Sequence, residues 1–263
     1  MELQLKGKKA FVSGSTQGIG FSIAKVLHEE GADVIINGRT EKKVQNSVQK
    51  LSKLKGGTVT GIAADFSEQK QVTSIIDQFA ELDILINNVG FFEPKAFPHI
   101  SDQDWFEIFE VNVLSGIRLS RHYLPKMLDN GWGRIIFISS ESAINIPEEM
   151  IHYGMTKTAQ LAVSRGLAEL TKGSNVTVNS VLPGPTRSEG IEDFLTNLAE
   201  EENKAKNEIE QEFFNDVRPT SLIQRFAEVN EVANLVAFLS SPLSSAINGT
   251  SLRADGGVVK SIL

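Results

Sequence analysis

Short apolar runs alternate with amphipathic stretches along the first two-thirds of the chain. The apolar runs lie at about residues 10–13, 33–37, 58–62, 82–87, 134–139 and 176–181. Between them, apolar residues recur three and four positions apart, which is the spacing of a helix that buries one face. Strands that alternate with helices predict an α/β fold with a parallel sheet and right-handed crossovers.

Residues 187 to 223 break this alternation. Apolar residues follow helical spacing from Ile191 to Leu198, and an acidic run and the pair Phe213-Phe214 come next. An amphipathic insertion after the sixth strand predicts a helical lid over a substrate pocket, although a surface helix packed on the core would give the same pattern. A last helix and strand complete a single domain that covers residues 1–263.

Composition excludes several kinds of chemistry. The sequence has no cysteine, so disulfides, thiolate metal sites and a cysteine nucleophile are ruled out. The four histidines are far apart in the sequence, which predicts no metal site. A net charge of −7 argues against nucleic-acid and anionic-membrane partners. No apolar run reaches the ~18 residues of a membrane span or resembles a signal core, so we expect a soluble, cytoplasmic protein.

A glycine-rich turn follows the first strand. Its sequence is Gly14-Ser15-Thr16-Gln17-Gly18-Ile19-Gly20, and a helical pattern begins directly after it. In such an arrangement the backbone N–H groups at the helix start can bind a pyrophosphate, although a plain strand–helix connector would look similar. Gly14, Asn88, Ser140 and Pro183 all follow predicted strands. Ligands of parallel sheets bind beyond these carboxyl ends, so the shared location favours a nucleotide site.

The second strand ends in Asn37-Gly38-Arg39-Thr40. An NAD site would have an acidic residue here to hold the ribose 2′-hydroxyl. Arg39 can instead bind a 2′-phosphate through two parallel hydrogen bonds, which a carboxylate would repel. The sequence therefore favours NADP(H) over NAD(H), which stays possible, and a solvated loop arginine is the plain alternative.

The stretch from Ser140 to Lys157 carries the candidate chemistry. Tyr153 and Lys157 lie four residues apart in a helical pattern and so share a face. A neighbouring cation lowers the pKa of a phenol from about 10, and a serine hydroxyl could bind a substrate oxygen. This set suits proton and hydride transfer at a C–OH bond. Asn112 is a polar residue within a predicted apolar helix at about 105–128, where its side chain needs a partner.

Together these residues resemble the short-chain dehydrogenase/reductase family over essentially the whole chain. The resemblance implies a Rossmann-type, doubly wound, seven-stranded parallel sheet with helices on both faces, and a nicotinamide cofactor. The family's serine usually lies 13 residues before its tyrosine, which selects Ser140. Ser13 and Val89 depart from the threonine and alanine usual in the family. The matching motifs are Gly14-x-x-x-Gly18-Ile19-Gly20, Asp65, Asn87-Asn88-Val89-Gly90, Asn112, Ser140, Tyr153-x-x-x-Lys157 and Pro183-Gly184.

The resemblance also implies roles for these residues. Tyr153 would exchange the proton, Lys157 would lower its pKa and bind the nicotinamide ribose, Ser140 would position the substrate oxygen, and Asn112 would hold a relay water. Asp65 would meet the adenine, Asn88 its ribose and Thr186 the carboxamide. The full set of expected cofactor contacts is Gly14, Ser15, Thr16, Gln17, Gly18, Ile19, Gly20, Arg39, Asp65, Asn88, Gly90, Tyr153, Lys157, Pro183, Gly184 and Thr186.

The expected activity is interconversion of a carbonyl and an alcohol on a free, small and partly apolar substrate. The apolar residues of the lid and of the loop from Ile144 to Met150 are the reason for expecting a partly apolar substrate. A reductase of 3-oxoacyl chains on acyl carrier protein is the alternative, although an acidic lid disfavours that acidic partner. A non-catalytic NADP(H) sensor or scaffold is a remote third reading, because it would be expected to lose Tyr153 or Lys157. Small residues on the helix after Tyr153 predict a homodimer or homotetramer.

Overall fold

Seven parallel strands form one sheet in the computed structural model, which describes residues 2–262. The order across the sheet is β3-β2-β1-β4-β5-β6-β9, which confirms the predicted doubly wound, seven-stranded architecture. The sheet strands are β1 (Lys9–Val12), β2 (Asp33–Gly38), β3 (Val59–Ala63), β4 (Ile84–Asn87), β5 (Gly133–Ile138), β6 (Val176–Pro183) and β9 (Ser251–Ala254), and a separate parallel pair comprises β7 (Thr186–Arg187) and β8 (Ala227–Glu228).

Helices cover both faces of the sheet. Because both faces are buried, the strands are apolar on both sides: Val12 belongs to a cluster with Ile23 and Val232 on one face, while Phe11 belongs to a cluster with Val72 and Leu119 on the other. No helix within residues 2–262 has the length and apolar character needed to cross a bilayer. The helices are α1 (Gly18–Glu29), α2 (Glu41–Leu51), α3 (Gln69–Gln78), α4 (Asp102–Phe109), α5 (Ser115–Asp129), α6 (Ile151–Glu169), α7 (Glu189–Glu202), α8 (Lys206–Glu212) and α9 (Val229–Ser240).

The strand order reverses between β1 and β4. From β1 the chain builds outward through β2 and β3, and then returns to add β4, β5 and β6 on the other side. The loops after β1 and β4 therefore diverge and leave a crevice at the carboxyl edge of the sheet, where such folds bind ligands. Gly14, Asn88 and Ser140 all follow strands at this edge.

The helix predicted at 105–128 begins earlier and is interrupted. It runs as α4, a π-helical turn at Glu110–Leu114, and α5, so that Asn112 lies in the turn with wider spacing. A π-turn inserts one extra residue into the helical path and is often found at functional sites. The periodicity could not reveal it, because one inserted residue shifts the apolar stripe only slightly.

The segment 187–223 has its own small core. Leu195 of α7 and Phe214 pack with Phe226 in a cluster separate from the two that cover the sheet. The sequence suggested that these apolar residues face a substrate. Leu195 and Phe214 are instead buried inside this cluster. Arg187 holds the segment together, because its guanidinium donates two hydrogen bonds of 2.6 and 2.7 Å to Glu210 of α8.

Arg134 is fully buried in β5, the strand that leads to Ser140. Its guanidinium donates to the backbone carbonyl oxygens of Asn175 (2.7 Å), Gly133 (2.9 Å) and Ser241 (3.3 Å). The group lies 4.6 Å from the centre of the Trp132 ring, a cation–π contact. Burial lowers the Arg134 pKa to about 10, so the side chain stays charged at neutral pH.

We predict that Arg134→Met destabilises the fold by on the order of 3 kcal/mol or more, because it leaves buried carbonyl oxygens without a charged donor. The free energy of unfolding in urea measures this. Arg165→Met is the matched control, since Arg165 forms an exposed ion pair with Glu169 and its loss should change stability little. Equal effects of the two substitutions would contradict the prediction.

Candidate active site

Ser140 and Tyr153 are brought together at the end of β5. Ser140 caps a short 3₁₀ turn at Glu141–Ala143, and its hydroxyl accepts a hydrogen bond of 3.1 Å from the Ser142 N–H. The next helix, α6, presents Tyr153 in its first turn, and the Ser140 side chain lies close enough to the Tyr153 phenol to lower its pKa. A phenol and a hydroxyl thus face the same point.

Lys157 lies one turn further along α6 and is almost fully buried. Its ammonium is 5.5 Å from the centre of the Tyr153 ring and donates a 2.9 Å hydrogen bond to the carbonyl of Ile138. The Ser139 hydroxyl donates a second bond of 2.9 Å to the backbone carbonyl of Lys157. Burial lowers the Lys157 pKa to about 8, so the group still carries its proton at neutral pH.

The pKa of Tyr153 lies above its usual value in this structure. Burial raises it to about 12, the hydrogen bond with Ser140 lowers it, and the charge of Glu141 raises it further. The sequence predicted the opposite direction, caused by Lys157. The difference arises because the lysine ammonium is directed at Ile138 and desolvation of the phenolate dominates. The phenol is therefore protonated at neutral pH, as a proton donor must be.

Asn112 ties the loop after β4 to helix α6. Its side chain accepts a hydrogen bond from the Phe91 N–H and donates to the Phe91 carbonyl, each at 2.9 Å, and also donates to the Thr156 hydroxyl at 3.1 Å. These contacts hold Gly90 so close that a Cβ there would lie 3.3 Å from both the Asn112 amide oxygen and the Lys157 ammonium. Asn112 thus sets how near the loop comes to Lys157; the relay water stays a prediction.

The glycine-rich turn after β1 needs its glycines. Gly14 and Gly18 adopt positive φ values of +61° and +58°, which disfavour a side chain. A Cβ on Gly20 would lie 2.4 Å from the Gly14 carbonyl oxygen, so a larger residue would force the turn open. The Gly14 N–H donates to the Asn37 side chain at 2.9 Å, and sequence reasoning did not assign Asn37 this role.

Ser13 and Asn88 join the turn to the loop after β4. The Ser13 hydroxyl accepts hydrogen bonds from the N–H groups of Asn88 (2.8 Å) and Val89 (3.0 Å). The Asn88 amide donates to the carbonyl oxygens of Ser13 and Gly14 at 2.9 and 3.1 Å. Ser13 and Val89 are the two positions at which the chain departs from the family pattern. They still take part in the hydrogen bonds that join the turn to the loop after β4.

A cavity of about 980 Å³ runs along this edge of the sheet. It extends from the ends of β2 and β3 to Gly90 and Phe91. Arg39 is exposed at the rim of the cavity. Lys43 also lines the cavity, although the sequence did not predict a role for it. The predicted cofactor contacts that line the cavity are Gly14, Thr16, Gln17, Arg39, Asp65, Asn88 and Gly90.

The remaining predicted contacts lie outside that lining. Pro183 ends β6, and Gly184 and Thr186 come directly after it, where the Thr186 hydroxyl donates to the Gly184 carbonyl at 2.8 Å. Ser15 turns inward, and its hydroxyl donates to the Val12 carbonyl at 2.7 Å. Ser140, Tyr153, Lys157, Gly18, Ile19 and Gly20 border the same edge without lining the cavity.

Asp65 has a local partner. Its carboxylate accepts hydrogen bonds from the Ser67 N–H at 3.0 Å and the Ser67 hydroxyl at 2.8 Å. The N-cap of the following helix is Glu68, so Ser67 serves the Asp65 turn and not the helix. Asp65 still borders the cavity, and an adenine contact for it stays a prediction.

Two long-range contacts join segment 187–223 to this edge. The Arg218 Nε donates to the Glu141 carboxylate at 3.0 Å, with side-chain exposures of only 11% and 5%. At the other end of the segment, the Gly18 N–H donates to the Glu189 carboxylate at 2.8 Å. These partners are 77 and 171 residues apart, so no local pattern could have paired them.

The edge fits a dinucleotide on its own geometry. Gly14, Gly18 and Gly20 form a turn in which added Cβ atoms are strained or excluded, and the Glu189 carboxylate stands in for a phosphate oxygen at the start of α1. Arg39 and Lys43 supply positive charge at the far end of the cavity. No cluster of three or more histidine or acidic side chains suited to a metal ion is found in residues 2–262.

Comparison with known proteins agrees with this geometry. A family model described as enoyl-(acyl carrier protein) reductase matches residues 14–259. The chain belongs to the short-chain dehydrogenase/reductase family. It is therefore an oxidoreductase that acts on CH–OH or C=O groups and has the NAD(P)-binding fold of its family.

Relatives and solved structures are similar over the whole chain. The "uncharacterized oxidoreductase YvaG" of Bacillus subtilis (strain 168) is 51% identical over 263 residues, covering 100% of both chains. The 3-oxoacyl-[acyl-carrier-protein] reductase FabG of Aquifex aeolicus (strain VF5) is 32% identical over 98% of this chain and 100% of its own. The L-sorbose reductase of Gluconobacter frateurii, solved with NADPH and L-sorbose, has a TM-score of 0.93 and 27% identity, covering 100% of both chains.

We predict that Arg218→Met destabilises the fold by about 3–5 kcal/mol, because it leaves the buried Glu141 carboxylate without its cation. The double variant Glu141→Gln/Arg218→Met should recover much of that loss, since no unpaired charge is left. Urea unfolding of both measures the coupling, with Arg225→Met as an exposed-pair control. A single variant as stable as the wild type would refute the prediction.

Proposed function

We propose that this protein uses NADPH to reduce a carbonyl group on a small, partly apolar substrate, with Tyr153 donating the proton. The observation that carries the proposal is the grouping of a phenol, a buried ammonium and a serine hydroxyl at the sheet edge that also holds the glycine-rich turn. Family membership supports it, because this family comprises oxidoreductases of CH–OH and C=O groups.

Each residue has a defined part in the proposed reaction. The Ser140 hydroxyl binds the carbonyl oxygen and holds it within reach of the Tyr153 hydroxyl, which acts as the general acid. The Lys157 ammonium stabilises negative charge on the phenolate after the proton has left. Asn112 holds the water through which Tyr153 and Lys157 regain a proton. The nicotinamide cofactor supplies the hydride when it is bound, and Lys157 would also hold its ribose.

The protonation state of Tyr153 matches what carbonyl reduction requires. A Tyr153 pKa raised to about 12 keeps the phenol protonated at neutral pH, so the proton that carbonyl reduction consumes is in place. Alcohol oxidation needs the phenolate, which burial disfavours. The Lys157 ammonium, with a pKa of about 8, carries its charge under the same conditions.

NADP(H) is the favoured cofactor. Arg39 and Lys43 lie together at the cavity end that follows β2, where two cations match a 2′-phosphate better than a ribose hydroxyl. Within residues 2–262, no carboxylate pairs with Arg39, so its guanidinium is available. The L-sorbose reductase with TM-score 0.93 was solved with NADPH, which supports the same cofactor.

The substrate pocket is proposed to lie beneath segment 187–223, which acts as a lid. Phe92 contacts the Tyr153 ring edge-on at 5.9 Å and is 56% exposed, so it offers apolar surface beside the reacting hydroxyl. Ile144 and Ile146 are also exposed on the loop between Ser140 and Tyr153. These three residues, and not the buried Leu195 and Phe214, support a partly apolar substrate.

A second candidate function is reduction of a carrier-bound 3-oxoacyl group. The 32% identity to the FabG of Aquifex aeolicus favours it. The acidic surface of α7 and α8 disfavours it, because an acidic carrier would be repelled. We rank the free substrate first.

We also propose that the protein forms a homodimer or homotetramer, since Phe106 and Leu170 expose large apolar side chains. A cytoplasmic location is a separate part of the proposal.

We predict that Tyr153→Phe lowers the rate of NADPH oxidation with small ketones and aldehydes by at least a hundredfold, because the general acid is lost. The rate is followed at the nicotinamide absorbance band across a carbonyl panel. NADPH should still bind this variant, which separates loss of the acid from loss of the fold. A variant as active as the wild type would refute the mechanism.

We predict that the wild type binds NADPH more tightly than NADH and that Arg39→Ala removes most of this preference. The physical reason is the loss of the guanidinium that pairs with the 2′-phosphate. Titration with both nucleotides measures the ratio, and Lys70→Ala serves as a charge-matched control on the exposed surface of α3. Tighter binding of NADH by the wild type would overturn the NADP(H) proposal.

A further inference from the structure

The Glu189 carboxylate occupies the anion position of the glycine-rich turn. Glu189 is the first residue of α7, and its Oε2 accepts a 2.8 Å hydrogen bond from the N–H of Gly18, the first residue of α1. The first N–H groups of this 12-residue helix have no partner within the helix and carry its positive partial charge. The carboxylate therefore lies where an external anion would be most stable.

The start of α7 is positioned against the turn by more than this one bond. A Cβ built on Gly18 would lie 3.5 Å from the Ser188 Cβ and 3.7 Å from the Glu189 carboxylate, which are ordinary contact distances. Arg187, just before, is anchored by Glu210 and by a short ion pair with Glu192. The path of the chain therefore aims Glu189 at Gly18, while the rest of its side chain stays exposed and can turn into solvent.

A bound dinucleotide and the Glu189 carboxylate need the same donors. The pyrophosphate of the proposed cofactor would bind the N–H groups at the start of α1. Two anions within a few ångströms repel each other strongly where solvent is partly excluded. The carboxylate must therefore leave Gly18 before the pyrophosphate can make this contact.

We propose that Glu189 sets cofactor affinity by competing with the pyrophosphate for Gly18, and that its displacement releases the first turn of α7. This inference rests on the proposed NADP(H)-dependent function. It makes Glu189 a cofactor-affinity residue at the junction of the turn and the lid. Binding of the nucleotide then loosens one end of segment 187–223, while Arg218 still holds the other end to Glu141.

Binding of NADPH to matched variants tests the competition. Glu189→Gln keeps the shape but removes the charge, and it should bind NADPH about fivefold more tightly, which converts to about 1 kcal/mol. Asp193→Asn is the control, because it removes the same charge one turn along α7 at an exposed position. The fragment 2′-AMP has the 2′-phosphate and no pyrophosphate, so its affinity should be the same in all three proteins.

Hydrogen–deuterium exchange without any nucleotide tests the contact itself. The Gly18 amide should exchange faster in Glu189→Ala than in the wild type or in Asp193→Asn. In the wild type, NADPH should speed exchange in the first turn of α7 while protecting the turn from Gly14 to Gly20.

Equal or weaker NADPH binding by Glu189→Gln, or Gly18 exchange that does not depend on Glu189, would overturn the inference and leave the proposed function intact. A wild type that does not bind NADPH, while Gly18 exchange still responds to Glu189, would overturn the proposed function and the competition with it. An equal gain in Asp193→Asn would show a general charge effect and would also overturn the competition.

Discussion

Two hydrogen bonds between the end of β5 and helix α6 position the groups that we propose to react. The Lys157 ammonium donates to the Ile138 carbonyl, and the Ser139 hydroxyl donates to the Lys157 carbonyl, each at 2.9 Å. They fix the Lys157 ammonium 5.5 Å from the centre of the Tyr153 ring and hold Ser140 near the Tyr153 phenol. Because the Lys157 ammonium is directed at a backbone carbonyl, burial of the phenol outweighs its influence, and the net shift of the Tyr153 pKa is upward. The Tyr153 phenol therefore keeps its proton at neutral pH.

Segment 187–223 contacts the sheet edge near both of its ends. Glu189 contacts the turn that is proposed to bind the cofactor, and Arg218 contacts the residue that follows Ser140. The second contact is a nearly buried ion pair, which is costly to break once formed because either charge alone would be left desolvated. The first is exposed and readily exchanged. The segment is thus held by a nearly buried ion pair near Ser140 and by an exposed hydrogen bond at Gly18, and its apolar cluster around Phe214 packs it as one unit.

Much of the fold and the location of the site could be predicted from the sequence. Alternating strands and helices force parallel strand ends onto one edge, so Gly14, Asn88 and Ser140 had to converge there. Three kinds of feature could not be predicted from the sequence. Glu141–Arg218 and Gly18–Glu189 join distant residues; the π-turn at Asn112 depends on how α5 packs; and the Tyr153 pKa depends on burial. The phenylalanines of segment 187–223 show the same limit of prediction from sequence. An apolar stripe does not reveal whether it faces a ligand or packs into its own core.

We propose that this sheet edge transfers hydride from NADPH to a carbonyl carbon while Tyr153 supplies the proton. A single-turnover reaction with NADPH deuterated at the transferred position of C4, and a ketone from the panel, tests it most directly. Mass spectrometry of the alcohol should find one deuterium on the carbinol carbon per NADPH consumed, with the wild type and not with Tyr153→Phe. Oxidation of NADPH that leaves no deuterium in the alcohol would contradict the account.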